Sequence, residues 1–194
     1  MLYDNEADRW DTLKQGINQA AKDYDVEVNF YNSSSDYESS EQAAIISREY
    51  NNGVNGIVVA PTDSDKIVET IENTDLTIPV VLVDSSINTD RDIPTIEADN
   101  KGMGAALAKE IKKDIQESQQ IVVISNNESR NSIIERKEGF EEAFGKENIV
   151  YWYLPNTDID TISEKIANSN EDIIVALDSI TLENVAAALS EEGS

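Results

Sequence analysis

The chain has 194 residues, 39% of them hydrophobic, enough for one large domain or two small lobes with a real core. Its formal net charge of −24 argues against nucleic acid as a partner, because phosphate binding needs clustered Lys and Arg, and favours a neutral or cationic ligand. Cysteine and histidine are both absent, which removes disulfides, the usual zinc ligands, a thiol nucleophile and an imidazole base.

Two periodicities then alternate along the chain. Trp10, Leu13, Ile17, Ala20, Ala21 and Tyr24 recur at helical spacing and predict an amphipathic helix over 8–24. Val26, Val28 and Phe30 alternate with Glu27 and Asn29, the pattern of a half-exposed strand. Asn32-Ser33-Ser34-Ser35-Asp36 reads as a loop, and Ser39 with Gln42 has the spacing of a capping box. The helix it opens runs to Tyr50 and stops at Asn51-Asn52-Gly53.

Two apolar runs follow, Gly56-Ile57-Val58-Val59-Ala60-Pro61-Thr62-Asp63 and Ile78-Pro79-Val80-Val81-Leu82-Val83-Asp84-Ser85. Continuous β-branched runs mark strands buried on both faces, as in parallel sheets. Open parallel sheets bind ligands at the carboxyl ends of their strands, so the polar residues closing each run sit where a ligand would be held. Asp63 and Asp65 lack the glycine and bidentate glutamate of a calcium loop, and helix capping accounts for them better.

Further on, the pattern predicts a short strand at 95–98, a helix over 102–117, a buried strand at 121–124 and a helix over 131–144. Strands at 149–153 and 173–176 flank a helix near 160–167, and a last helix fills 182–189. Of Tyr151, Trp152 and Tyr153, which alternate across their strand, at least one is expected in the core. Strands alternating with helices give an α/β fold of two doubly wound, Rossmann-like lobes with parallel sheets. The rhythm breaks at Asp99-Asn100-Lys101-Gly102 and restarts, which places a first lobe at 1–100 and a second at 101–194.

Five stretches in this order resemble the sugar-binding proteins of the ribose- and galactose-binding type, type 1 periplasmic binding proteins, and the effector domains of lactose-repressor-like regulators. They are Trp10-x-x-Leu13-x-x-Gly16 leading to Ala20-Ala21, the two apolar runs above, Asp99-Asn100 with Gly102 before a helix, and Arg136-Lys137-Glu138-Gly139-Phe140. The resemblance implies two lobes joined by a hinge that close around a ligand, with no enzyme activity and no cofactor. It implies that Arg9 and Trp10 hold and stack on a sugar and that Asp84 and Ser85 meet its hydroxyls. From the second lobe it implies Arg136, Ile159 as a pocket wall, and Asp178. An aromatic plane covers the C–H face of a sugar, while Asp and Arg pair with hydroxyls.

Plainer roles stand beside each of these. Trp10 lies on the apolar face of its helix and suits core packing, Asp84 and Asp178 suit capping, and Arg136 suits an ion pair with a neighbouring Glu. Arg130 reads as a solvated loop residue. Ala60 stands where many relatives carry an Asn. The family also continues past the position of Ser194, so the second lobe is expected to be truncated, to be completed by a missing C-terminal segment or by self-association.

The function expected from the resemblance is binding of a small sugar or polyol in the cleft between the lobes. Its partner would be an ABC transporter permease or a membrane sensor kinase, outside the cytoplasm. No signal peptide is expected at Met1-Leu2-Tyr3 and no membrane span is long enough, so an exported form would have lost its leader. The alternative is the effector-binding core of a lactose-repressor-like transcription regulator, which would need a helix-turn-helix ahead of Met1.

Overall fold

The computed structural model describes residues 1–3, 8–33, 39–74, 76–116, 119–154, 159–170 and 172–192. The chain forms two compact units, Met1–Ala98 and Asp99–Ser194.

The N-terminal unit is an all-parallel sheet of strands β1 (Leu2–Tyr3), β2 (Tyr31–Asn32), β3 (Ile57–Val59), β4 (Val80–Val83) and β5 (Thr95–Ile96), ordered β2-β1-β3-β4-β5. Neighbouring residues of one strand enter opposite cores, as the two-residue period of a strand requires. Leu2, Val59 and Leu82 pack with Ile45 and Ile46 of α2 (Ser39–Asn51) and Ile67 and Ile71 of α3 (Ser64–Asn73). Tyr3, Val83 and Val58 go to the other side, with Trp10, Ala60 and Leu13. Leu13 lies on α1 (Asp11–Asp23), which follows a 3-10 turn at Asp8–Trp10. Burial on both faces is why β3 and β4 read as unbroken apolar runs.

Two predicted features of this unit are different. The alternating segment from Val26 to Phe30 is not a strand: pairing with β1 starts at Tyr31, and Val26 is 56% exposed. Asp25, at φ 54°, turns the chain out of α1, and of the alternating residues Phe30 joins the core around Trp10. Nor does Gln42 serve a capping box. Its amide donates to the Ala60 carbonyl at 2.8 Å, and its oxygen accepts from the Thr62 amide at 3.2 Å. Helix α2 does end where predicted, with Gly53 at φ 85° supplying the left-handed turn.

The C-terminal unit has a parallel sheet ordered β7-β6-β8, built from β6 (Ile121–Ser125), β7 (Ile149–Tyr153) and β8 (Ile173–Ala176). Strand β6 is central and wholly buried. Ile121 and Val123 face Ala108 of α4 (Asn100–Asp114) and Phe140 of α5 (Asn131–Phe144). Val122 and Ile124 face Trp152, Ile162 of α6 (Ile159–Ala167) and Val185 of α7 (Ser179–Glu192). Trp152 is thus the core member of the Tyr151-Trp152-Tyr153 run, its two neighbours being exposed.

Helix α4 ends earlier than predicted, because Ile115 is already extended; Glu117 lies outside the described residues. Helix α7 begins three residues before the predicted Leu182. Helices α4 and α5 meet at two glycines. A Cβ on Gly104 would lie 1.9 Å from the Arg136 carbonyl oxygen, and one on Gly139 would lie 1.9 Å from that of Lys101. Only glycine permits so close a backbone approach.

Candidate ligand-binding site

In the N-terminal unit, the ends of β3 and β4 diverge in character. The loop after β3 is scaffold: Asp63 caps α3 by accepting the Lys66 amide at 2.8 Å, and Gln42 ties Ala60 to Thr62. The Asp63 cap is the role the sequence suggested over calcium. After β4, Asp84 adopts φ 68°, a left-handed conformation that Asp tolerates better than most residues and that sets off the turn. Its amide still donates to Ile96 at 2.9 Å, so the turn is anchored to β5. Its carboxylate pairs with Arg9, and each side chain is about a quarter exposed.

Arg9 in turn lies over the Trp10 ring, 4.7 Å from its centroid. Trp10 itself is only 3% exposed and packs with Tyr3, whose ring centroid is 5.9 Å away. Arg9, Trp10 and Asp84 are therefore brought together at the carboxyl ends of the strands, with Trp10 as the floor beneath the ion pair. Ser85 is fully buried, its hydroxyl 3.4 Å from the Ser86 carbonyl.

In the C-terminal unit, Arg136 reaches two internal acceptors. Its Nε donates to Asn100 Oδ1 at 3.0 Å and its Nη1 to the Leu177 carbonyl at 2.9 Å. It thereby ties α4, α5 and the end of β8 together. Asp178 accepts the Thr181 amide at 2.8 Å and the Thr181 hydroxyl at 2.7 Å, capping α7. The amide of Asn126 also donates to Asp178, at 3.4 Å. Ile159 packs against the apolar cluster of Trp152, Leu154 and Ile162.

Arg130 departs from its expected solvated state. It is 5% exposed at the start of α5, after a turn in which Asn127 Oδ1 accepts the amides of Ser129 and Arg130 at 2.8 Å. Sequence reasoning missed Asn126, read Gln42 as a capping residue and took Asn100 as part of a motif, and all three are buried amides. The doublet Asn126-Asn127 directly after a buried strand was the available signal, since such a place forces polar side chains into contact with the interior.

Among the described residues no cluster of Asp and Glu could hold a metal ion, and no helix is long and apolar enough to cross a membrane. Glu141 and its partners Lys146 and Tyr151 form one group of shifted titrations in the C-terminal unit, beside Lys101, whose bond to Glu142 raises it. Burial pushes the Glu141 carboxyl up, but hydrogen bonds from Lys146 and Tyr151 outweigh that and leave it below the ordinary range. Burial, then the bond to Glu141, raises the Tyr151 phenol.

The family model for the periplasmic binding protein domain matches residues 1–194. No curated protein sequence matches the chain. Solved structures do. A sugar transporter from Clostridium phytofermentans superposes with a TM-score of 0.87 at 20% identity, covering 99% of this chain and 75% of its own. The fructose-binding periplasmic domain of a hybrid two-component system gives 0.85 at 20%, covering 99% and 67%. A Caulobacter myo-inositol binding protein, bound to myo-inositol, gives 0.82 at 23%, covering 99% and 69%. At these identities the likeness shows the fold.

Proposed function

The chain belongs to the periplasmic binding protein domain family, and from that membership we propose that it binds a small sugar or related polyol without covalent chemistry. The observation that carries this reading is the Arg9–Asp84 pair set over Trp10 at the strand ends. A carboxylate and a guanidinium side by side offer acceptors and donors to adjacent hydroxyls, and their mutual neutralisation suits an uncharged ligand. Structural neighbours named for fructose and myo-inositol support the same ligand class.

The binding module works outside the cytoplasm and passes its closed form to a membrane partner. A sugar ABC transporter permease and a sensor kinase are the two candidates, the second supported by the two-component relative. Ligand drives closure only by its differential affinity for the closed form. Arg9 and Asp84 meet the ligand in the N-terminal unit, backed by the buried Trp10 and Ser85, and Arg136, Ile159 and Asp178 frame the strand ends of the C-terminal one.

Thermal unfolding with D-ribose, D-galactose, D-fructose and myo-inositol tests the assignment. One of them at a hundredfold excess over its Kd should stabilise the protein by about 2.7 kcal/mol. Failure of all four to raise the midpoint would sink the sugar reading.

A further inference from the structure

Asn126 directly follows β6, the central strand of its sheet, and is 5% exposed. Its Nδ2 donates to Asp178, while its Oδ1 is buried with no hydrogen-bond partner among the described residues. Leaving a buried acceptor unmade costs about 1–3 kcal/mol, so a native structure that keeps one needs a reason. Two serine hydroxyls, of Ser33 and Ser163, share this state. Ser33 follows the edge strand β2 and Ser163 lies within α6, whereas Asn126 closes a central strand where open parallel sheets hold ligands.

The orientation of the Asn126 amide is fixed by chemistry. Reversing it would set Oδ1 against the Asp178 carboxylate, acceptor against acceptor. Asp178 cannot turn away, because both of its oxygens are held by Thr181. The carboxylate therefore spends itself on the helix cap and on aiming the amide, and the acceptor left over belongs to Asn126.

We propose that Asn126 is a ligand-binding residue whose Oδ1 accepts a hydrogen bond from one hydroxyl of the ligand, and that Asp178 is a positioning residue acting through it. This rests on the sugar reading above and adds a residue and a hydrogen-bond polarity to it: at this point the ligand must donate.

The test uses the panel sugar that most stabilises the unmodified protein, together with its set of monodeoxy analogues, measured by calorimetry. One analogue should bind the unmodified protein about tenfold more weakly than the parent sugar, the scale of one hydrogen bond to a buried acceptor. Asn126→Ala should lose about tenfold for the parent and no longer distinguish it from that analogue, and Asn126→Ser, as a second variant, should behave the same way. Asp178→Asn keeps an oxygen for both the Thr181 amide and the Asn126 amide, so it should retain the discrimination that Asp178→Ala loses.

A general folding defect would weaken every analogue alike and would not be rescued by Asp178→Asn. If Asn126→Ala binds the parent sugar as well as the unmodified protein does, or weakens all analogues equally, the assignment of Asn126 is overturned while the sugar reading stands. If the unmodified protein responds to no panel sugar, the sugar reading falls and this assignment falls with it.

Discussion

Asp84 and Asp178 each follow a parallel strand that the sequence marks as buried, yet they are put to different uses. Asp84 stands in a left-handed turn, a quarter exposed, with its carboxylate on Arg9. Asp178 is 9% exposed and holds the first turn of α7 through Thr181. The difference lies in what comes next. After Asp84 the chain runs on as a loop, whereas after Asp178 a helix begins at once, and a helix start claims the nearest carboxylate for its orphan amides. The same residue type at the end of a buried parallel strand is thus paired with Arg9 where a loop follows and committed to a helix cap where a helix follows.

The largest effect that would sharpen this contrast comes from the frame of the C-terminal unit. Gly104→Ala or Gly139→Ala should cost about 3 kcal/mol, because the added methyl overlaps a backbone carbonyl that cannot give way. Denaturant unfolding reads this directly, and an unchanged midpoint would mean that α4 and α5 do not rely on their glycine contact. Asp178→Ala should follow, at about 1 kcal/mol for the lost cap. Asp84→Asn should do the reverse: Asn also accepts the left-handed backbone, so stability should hold within about 1 kcal/mol while affinity for the stabilising sugar falls about tenfold or more. Were Asp84→Asn to cost more stability than Asp178→Ala, the division of labour between the two carboxylates would be wrong.

The alternation of elements was legible because buried strands such as β6 are short, apolar and β-branched, and the helices between them carry a clear face. Local alternation misled at Val26–Phe30, since a strand exists only where a neighbour pairs with it, and β1 offers just two residues. Side-chain partners were the less legible part. Nothing local in the sequence tells that Gln42 reaches Ala60 or that Arg136 reaches Asn100, 36 positions away. Arg130 looked like a loop residue open to water, but burial is decided by what packs over a loop, and it is buried. The Asp178 cap was the exception: an Asp just ahead of a helical run is a capping signal that one stretch of sequence contains.

The smallest expected effect separates stability from binding by pH. Glu141 is held below the ordinary carboxylate range, with burial opposing and the bonds from Lys146 and Tyr151 prevailing. A carboxylate lowered on folding stabilises the protein fully above its unfolded value of about 4.3 and loses that contribution as pH falls through the folded value. The Tyr151 phenol is raised, so its contribution is complete below about 10 and is lost in stronger alkali. Glu141→Gln should therefore lower the unfolding midpoint at neutral pH, and the gap to the unmodified protein should close as pH drops below the folded value. Glu141 lies on α5 and Tyr151 on β7, neither at the strand ends, so sugar affinity at neutral pH should be unchanged in the same variant. A loss of affinity there would tie the Glu141 cluster to the ligand and undo the separation between frame and site on which the comparison of the two aspartates depends.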